Sequence, residues 1–511
     1  MSEHIAELEK LEAHSRAMGG PQKVAKHHAS GRLTARERID GLVDPGSFVE
    51  LGLLAHSDID EAAERTPADG KVCGVGRIDG RLAAVCAYDA TVLAGAGGRV
   101  GTRKVQHLLR LAVENGYPIV MLHEGGGARI PDILGSDGIL SSPGMIEHAL
   151  RMRRVPMVTA VLGDGFGQTS WDAAFSDFTV QRKGTCLAVS GPNAIQVATG
   201  ENTPPEELGG WEMHAKTTGL ADLACDDEPG CLATIRAFLS YLPSHCEELP
   251  PRIAGDDDAM NRQEALEQIV PIEPRRGYSM HKVCDVLFDK GSLFEIKPLL
   301  DRSVITALAR LNGAPVGVVA SNPMYNAGAL GAGACSKITD LIVLCDSFHL
   351  PLILLSDTPG FFVGKKAEEA GVSGRITNQW TAFAQATVPK ISVVLRKGYG
   401  GGYYSLGAHG MGADLNIAWV TADVGFVAPE VAVNIVHSKR IAASNEPQAL
   451  RERLTEELRY ASAPWRAAGK YFLHDVIRPR DTRDRLLAGL AIGRRRTGFS
   501  ERRLANWPTS S

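Results

Sequence analysis

The feature that most constrains the fold is a long internal duplication. The segment that begins Val155-Pro156-Met157 returns 233 positions later as the segment that begins Val388-Pro389-Lys390. The offset is constant from position 77 to about 171, and beyond that point it becomes 237. It aligns residues 77–80 with 310–313, 118–127 with 351–360, Lys104 with Lys337, and Asp177 with Asp414. A repeat of about 240 residues is far longer than a solenoid unit and predicts two similar domains.

Each copy contains a short apolar, β-branched run that ends in a glycine-rich turn. In the second copy the run covers residues 388–396 and is followed by Gly398, Gly400, Gly401 and Gly402. Such runs are typical of buried parallel strands. Amphipathic segments at 105–114 and 338–347 predict helices between the strands. Strands that alternate with helices indicate an α/β fold with right-handed crossovers.

A glycine turn that opens a helix has a possible chemical use. Its free N–H groups can bind an anion or a developing oxyanion, because no Cβ blocks the approach to the backbone. A purely structural turn has the same sequence. The residues alone leave both interpretations open, and the presence of a second copy favours the chemical one.

Composition excludes several classes of protein. At 511 residues the chain is too long for one core, and a content of 44% hydrophobic and 22% charged residues is ordinary for a globular protein. A net charge of −4 gives no electrostatic case for nucleic acid or an anionic membrane. No apolar run is long enough to span a bilayer, and the acidic N-terminus argues against a presequence.

Nine cysteines are scattered along the chain without a CxxC pair. The closest couple, Cys225 and Cys231, fits no familiar zinc spacing, so we predict no metal site. We interpret the cysteines as reduced thiols of a cytoplasmic protein.

The region around residue 255 separates the two predicted domains. Residues 249–258 are rich in proline and acidic side chains and are typical of a linker. The predicted domains are therefore 1–255 and 256–511. Near the N-terminus, Thr34 and Glu37 predict a capping box at a helix start. We expect the neighbouring arginines to form a solvated face rather than to bind phosphate.

Several motifs together carry a family resemblance. They are residues 31–38 (GRLTARER), 126–130 (GGARI), 357–361 (DTPGF), 386–390 (ATVPK) and 396–401 (RKGYGG). In order and spacing, from about residue 20 to the C-terminus, the chain resembles the carboxyltransferase (β) subunit of biotin-dependent acyl-CoA carboxylases, such as propionyl-CoA and methylcrotonyl-CoA carboxylases. The resemblance implies two tandem crotonase-like domains. It also implies homohexamers whose active sites form between the N-domain of one chain and the C-domain of another.

The chemistry of this family needs few side chains. Transfer of a carboxyl group from carboxybiotin to the α-carbon of an acyl thioester creates an enolate oxygen and a ureido oxygen, both negative. Each is stabilised by fixed N–H donors, and removing one donor typically costs roughly 2.7–4 kcal/mol of barrier. In the family the leaving ureido group is thought to take the α-proton, so the lack of a Ser/His/Asp arrangement does not count against catalysis.

The resemblance assigns site residues in both domains. On the acyl-CoA side it implies that Gly167 and Gln168 stabilise the enolate. The substrate-binding residues there are Gly126, Gly127, Ala128 and Arg129. On the biotin side it implies that Gly401 and Gly402 stabilise the ureido oxygen, beside the biotin-binding residues Pro359, Gly360, Phe361 and Tyr403.

Two sites, the turn at 167–171 and position 404, depart from the family pattern. Residues 167–171 are GQTSW where the family usually has GGAVY, and Tyr404 replaces an Asp of propionyl-type enzymes. Because the second position helps to choose the acyl chain, Trp171 and Tyr404 leave the acyl group open.

Some polar residues near the turns have two interpretations. Arg129 would bind a CoA phosphate or bridge to Asp132. Glu124 and Asp357, which are equivalent, would act as acids or, as we favour, hold the following turns. His123 and His409 are expected to be packed, and Lys104 and Lys337 to share a structural role.

Absent motifs define the expected partners. There is no Met-Lys-Met biotinylation motif and no P-loop in the sequence. Biotin must then be carried by a biotin carboxylase/biotin carboxyl carrier subunit, while coenzyme A enters as part of the substrate. Two alternatives stay open: a decarboxylase subunit that runs the transfer backwards beside a membrane partner, and a non-catalytic scaffold homologue.

Overall fold

The computed structural model describes residues 1–140, 144–493 and 499–508, and the chain divides into two compact units. Unit 1 is Met1–Glu248, and unit 2 begins at Leu249, a few residues before the predicted boundary. The proline-rich stretch at this boundary packs on unit 2, where Ile253 N–H donates to Gly313 O (3.1 Å) and Arg310 Nη1 donates to Pro251 O (3.0 Å). In the described part of the chain, no helix is both long and apolar enough to cross a membrane.

Unit 1 is built on one eight-stranded sheet. Its strands are β1 (Val49–Leu51), β2 (Lys71–Ile78), β3 (Arg81–Tyr88), β4 (Ile119–Gly125), β5 (Met157–Phe166), β6 (Phe178–Arg182), β7 (Leu187–Ala188) and β8 (Leu223–Cys225). The order is β1-β2-β3-β4-β5-β6-β8, and β7 pairs with β5. Pairing is antiparallel from β1 to β3 and parallel beyond, so the carboxyl ends of β4 and β5 lie at the same edge.

The helices of unit 1 cover the sheet, and the first three precede β1 in the chain. They are α1 (Ser2–Arg16), α2 (Pro21–Ala29), α3 (Ala35–Leu42), α4 (Asp60–Ala63), α5 (Arg99–Asn115), α6 (Gly135–Leu140), α7 (Ile146–Leu150), α8 (Gln168–Phe175), α9 (Pro192–Thr199), α10 (Pro205–Gly209), α11 (Trp211–Met213) and α12 (Glu228–Leu239). The predicted capping box is confirmed, because Thr34 Oγ1 accepts from Glu37 N–H and the Glu37 carboxylate accepts from Thr34 N–H.

Unit 2 repeats the same sheet. Its strands are β9 (Phe294–Ile296), β10 (Val304–Leu311), β11 (Ala314–Ser321), β12 (Leu352–Thr358), β13 (Lys390–Tyr399), β14 (Leu415–Trp419), β15 (Asp423–Gly425) and β16 (Asp475–Ile477). The order is β9-β10-β11-β12-β13-β14-β16, and β15 pairs with β13. Strand for strand this matches unit 1, so the duplicated α/β fold is confirmed.

The helices of unit 2 include the equivalents of α5 and α8. They are α13 (Leu266–Ile269), α14 (Met280–Leu287), α15 (Ala332–Ser347), α16 (Lys365–Glu369), α17 (Val372–Gln385), α18 (Gly400–Ser405), α19 (Pro429–Ala442), α20 (Pro447–Ala461), α21 (Pro464–Ala468) and α22 (Thr482–Ile492). The helices predicted at 105–114 and 338–347 lie within α5 and α15 and are confirmed.

Buried aliphatic side chains explain why the strands form where they do. One core cluster of unit 1 packs Val105, Leu108 and Leu109 of α5 against Cys86, Met121 and their neighbours on β2–β4. In unit 2, Ile353, Leu355, Val393 and Leu395 alternate along β12 and β13 into the main core. Apolar residues on both faces of these strands are what parallel sheets covered by helices require.

Candidate active site

Both glycine turns place a glycine with a positive φ between a strand and a helix. In unit 1, β5 ends at Phe166, Gly167 has a φ of +63°, and α8 starts at Gln168. In unit 2, β13 ends at Tyr399 and Gly400, with a φ of +54°, opens α18. A positive φ at this sharp strand-to-helix turn favours glycine. Each turn therefore presents the first N–H groups of a helix at the carboxyl edge of its sheet.

In unit 1 the free donors are not the pair that the sequence predicts. Gly167 N–H donates to the carbonyls of Ala188 (3.2 Å) and Val189 (3.1 Å), so it is not available to an oxyanion. Gln168 N–H has no acceptor among the described residues. The Gly167 amide is thus engaged by the segment at β7, and the predicted part of Gly167 in stabilising the enolate stays a prediction.

The second donor of unit 1 comes from the loop after β4. Gly126 N–H donates to Ala94 O (2.9 Å), whereas Gly127 N–H has no acceptor in the described chain. Gly127, with a φ of +88°, lies against the end of β5: a Cβ added to it would be 3.7 Å from Phe166 O. Gly127 and Gln168 thus supply two free N–H groups from adjacent loops. Ala128 is exposed beside them and forms a bridge with Gly97.

In unit 2 the structure brings the predicted biotin-side residues together. A Cβ added to Gly402 would lie 2.8 Å from Gly360 Cα, and one added to Gly401 would lie 2.5 Å from Phe361 Cε2. The N–H groups of Gly401 and Gly402 have no acceptor in the described residues. Pro359 is exposed at the start of the same loop.

One biotin-side residue is placed differently from the prediction. Tyr403 is only 7% exposed, packs with Val394 and Ala418, and its hydroxyl lies 3.2 Å from Asn416 Oδ1 and 3.1 Å from Asn416 Nδ2. Its ring belongs to the core, so its side chain does not face a ligand at the turn.

Equivalent positions on α8 and α18 carry half-exposed aromatic rings. Trp171 is 47% exposed and Tyr404 is 45% exposed. Tyr404 makes an edge-to-face contact with Trp380 (6.1 Å between centroids), and Trp380 lies 6.2 Å from Phe361. Sequence reasoning missed Trp380, whose indole N–H donates to Ser405 Oγ (2.9 Å). Phe361, Trp380 and Tyr404 form an aromatic wall beside Gly401.

The two equivalent carboxylates are held by cations. Asp357 lies 3.0 Å from Arg396 Nη2 and 3.2 Å from Lys397 Nζ. Glu124 lies 2.5 Å from both Arg32 and Arg38, and Arg38 also binds Glu228 (2.7 Å). Burial raises the pKa of Glu124, but the positive charges of Arg38 and Arg32 outweigh burial and leave the pKa below its usual range. We expected the carboxylates to accept from the N–H groups of the turns that follow them, and the structure does not show this. Their main partners in the described chain are cations, and the one backbone N–H from which Asp357 accepts there belongs to Lys397 on β13 (3.2 Å).

The arginines near the N-terminus do not form the expected solvated face. Arg38 is fully buried in its ion pairs, and Arg36 pairs with Glu50 at 2.7 Å. Arg129 is 5% exposed and binds Asp132 (2.5 Å) and Asp69 (2.6 Å), so the predicted bridge to Asp132 is present. Binding of a CoA phosphate by Arg129 stays a prediction.

A buried His-Asp-His cluster includes Asp172 of α8. Asp172 lies 3.0 Å from His123 Nε2 and 2.8 Å from His148 Nε2, and all three side chains are buried. His123 is therefore packed, as expected. His409 is exposed, contrary to the expectation, and its ring makes a tilted contact with Phe472 (5.2 Å between centroids). Lys104 and Lys337 donate to backbone carbonyls in both units, which confirms their shared structural role.

A cleft of about 860 Å³ leads to the unit 1 turn. Its lining includes the basic side chains of Lys23, Lys26, His27 and Arg32, which we call its basic end, the carboxylates of Glu124 and Asp164, and Gly126 and Phe166. Lys23, Lys26 and His27 were not predicted from the sequence. Their spacing on α2 (i, i+3, i+4) places them on one helix face, and this basic face is the signal that was present.

The fold and the turns together define an enzyme of the crotonase class, in which backbone N–H groups stabilise an oxyanion beside a parallel sheet. The model of the carboxyl transferase domain family matches residues 26–505. The chain is 37% identical to the carboxyltransferase subunit of propionyl-CoA carboxylase from Haloferax mediterranei, over 96% of each chain. It is 33% identical to the α subunit of methylmalonyl-CoA decarboxylase from Propionigenium modestum, over 94% of each chain.

A crystal structure of transcarboxylase 12S, described as a hexamer with methylmalonyl-CoA and methylmalonic acid bound, superposes with a TM-score of 0.89. It shares 33% identity and covers 96% of this chain and 95% of its own. The chain belongs to the carboxyl transferase domain family, and it is a carboxyltransferase of the biotin-dependent acyl-CoA carboxylase type.

Proposed function

We propose that the protein transfers the carboxyl group of carboxybiotin, carried on a separate subunit, to the α-carbon of an acyl-CoA, or to a vinylogous carbon. In this proposal unit 1 binds the acyl-CoA and unit 2 binds biotin. As in the family, the complete site combines unit 1 of one chain with unit 2 of another in a homohexamer. The hexamer described for the transcarboxylase 12S supports this assembly.

The observation that carries the proposal is the cleft of unit 1. Its basic end on α2 suits the phosphates of coenzyme A, and Leu93, Ala94 and Phe166 offer apolar contacts to the pantetheine arm. The cleft is lined by Gly126, which directly precedes Gly127, and by Phe166, which lies two residues before Gln168. A thioester that enters here would have its carbonyl oxygen beside two free N–H groups.

The residues of the chain account for each step of the transfer. Loss of the carboxyl group leaves negative charge on the ureido oxygen of biotin, which the N–H groups of Gly401 and Gly402 stabilise. The ureido nitrogen takes the α-proton, and the charge moves to the thioester oxygen, which Gln168 and Gly127 N–H stabilise. The enolate carbon then attacks the released CO₂, and the new carbon–carbon bond completes the transfer. No side-chain base is required.

The direction of transfer depends on the partner subunits. Relatives named as carboxylases and as decarboxylases both align over nearly the full chain. We propose the carboxylase direction with a biotin carboxylase/biotin carboxyl carrier partner. We also propose a cytoplasmic location, which rests on the scattered cysteines.

Reverse transfer to free biotin tests the proposal without the partner. The purified chain is incubated with biotin and a panel of carboxylated CoA thioesters, and release of the decarboxylated acyl-CoA is followed. We expect biotin-dependent turnover with at least one malonyl-type thioester. An inert panel together with intact CoA binding would support the scaffold alternative. No CoA binding would contradict the placement of the cleft.

A further inference from the structure

The carboxylate before each glycine loop is displaced in the same way in both units. The register between β4 and β5 shifts between His123 and Gly125, and that between β12 and β13 shifts between Ser356 and Thr358. Glu124 and Asp357 lie at these irregularities, directly before the loops of Gly127 and Gly360. Such shifts redirect a side chain, and here they turn a carboxylate toward its cations.

The two units supply these cations from different places. In unit 2, Arg396 and Lys397 belong to β13, so the ion pair stays within the sheet. At the equivalent positions unit 1 has Gly163 and Asp164. Gly163 leaves room for the Glu124 side chain, because a Cβ there would lie 2.3 Å from Glu124 Cγ. The cations of unit 1 come instead from the segment from α2 to α3.

This segment also forms the basic end of the cleft. His27 Nε2, on α2, lies 3.5 Å from Glu124 and 3.0 Å from Leu33 O. Arg32 follows α2, and its side chain is 27% exposed while that of Glu124 is 5% exposed. His27 and Arg32 line the cleft together with Lys23 and Lys26 of the same helix. One group of side chains therefore contacts both the phosphate-binding face and the carboxylate before the glycine loop.

We infer that Glu124 is a positioning residue, which couples the binding of CoA phosphates on α2 to the placement of the Gly127 N–H at the thioester. The inference rests on the proposed function, since it requires a CoA thioester in the cleft. The phosphates of CoA do not react, but their binding energy holds α2 in place. The ion pairs of Glu124 then fix the Gly127 loop in the geometry that the enolate needs. In unit 2 the carboxylate pairs within the sheet, and its partner Arg396 donates to the carbonyls of Pro271, Glu273 and Arg276, which do not belong to a helix.

A double-mutant cycle between Lys26 and Glu124 tests the coupling. Turnover of the best CoA thioester is compared with that of the N-acetylcysteamine thioester of the same acyl group, which lacks the phosphates. We expect Glu124→Gln to lower kcat for the CoA thioester at least tenfold, and to change kcat for the truncated thioester less than threefold. Lys26→Ala should lower kcat and raise KM for the CoA thioester in the parent protein. In the Glu124→Gln background it should raise only KM.

Arg36→Gln is the matched control. It breaks an ion pair on the same helix as Arg38 but leaves Glu124 untouched, so Lys26→Ala should still lower kcat there. Equal kcat effects of Lys26→Ala in the parent and Glu124→Gln backgrounds would overturn the coupling while the CoA site stands. If Lys23→Ala and Lys26→Ala change neither KM nor kcat, the placement of CoA is wrong and the inference fails with it.

A second variant keeps the test valid if Glu124→Gln does not fold. Arg32→Gln removes the more exposed partner of Glu124, while Arg38 and Glu228 stay paired. We expect the same loss of coupling at smaller amplitude, and full coupling in this variant would also overturn the inference.

Discussion

Replacing Gln168 with proline removes one oxyanion donor and leaves the rest of the turn intact. Gln168 is the first residue of α8, a position at which proline is tolerated because its N–H has no partner within the helix. Gly167 before it lies outside the α region (φ 63°, ψ −115°), which is the region that a following proline disfavours. Loss of one such donor typically costs roughly 2.7–4 kcal/mol of barrier, equivalent to about 10²–10³ in kcat.

Gln168→Ala is the control that isolates the N–H group. It keeps the donor and removes only the side chain, so the difference between the two variants measures the amide alone. Both are assayed by reverse transfer to free biotin with saturating CoA thioester, and CoA affinity is measured by calorimetry. We expect Gln168→Pro to lose about two to three orders of magnitude in kcat with CoA affinity preserved. Equal activities of the two variants would refute the assignment of Gln168 N–H to the enolate.

Three further predictions concern the other parts of the two units. Gly401→Val brings a side chain against Phe361 and should abolish transfer while acyl-CoA affinity changes little; loss of both would contradict the division between the two units. Tyr404→Ala removes one ring of the aromatic wall. It should raise the ratio of kcat/KM for a longer acyl-CoA to kcat/KM for a shorter one about tenfold or more, as expected for pocket contacts with methylene groups. An unchanged ratio would show that Tyr404 does not belong to the acyl site. Burial alone would raise the pKa of Asp172, but hydrogen bonds from His123 and His148 lower it to about 2. Because its pKa is lower in the folded state, ionised Asp172 stabilises the fold above the unfolded pKa near 3.8. This stabilisation is lost as the pH falls toward 2. Asp172→Asn should therefore reduce the difference in unfolding free energy between pH 5 and pH 3 by about 1 kcal/mol, measured in urea, and an undiminished difference would show that another group carries it.

The duplication and the strand–helix alternation predict two similar α/β domains and the two turns, because these features depend on local patterns. A run of aliphatic residues, a glycine with positive φ and a helix start follow one another within a few positions. Whether an individual backbone N–H is free or hydrogen-bonded depends on strands that are distant in sequence. Gly167 N–H is engaged by Ala188 and Val189, and no pattern near Gly167 indicates that β7 pairs there.

The burial of charged side chains likewise depends on residues that are distant in sequence. The sequence predicts a solvated face for the arginines at 32, 36 and 38, but Arg38 is buried because it pairs with Glu124 and Glu228, which lie far along the chain. Tyr403 and Tyr404 are adjacent in sequence on a short helix, so one must face the core and the other the site. Only the packing of Tyr403 against Asn416 and Val394 decides which.

A side chain at position 168 is accommodated by the adjacent loop of unit 1. At the equivalent position in unit 2, Gly401 has no room for a side chain, because a Cβ would meet the Phe361 ring at 2.5 Å. The equivalent of Phe361 in unit 1 is Ala128, which is small and exposed. A side chain at position 168 therefore does not face the ring that excludes one at 401. The positive φ that favours glycine belongs to Gly167, and it is retained. The substitution thus leaves the helix-start N–H of Gln168 free, and it argues for an altered acyl pocket rather than for a scaffold that has lost its chemistry.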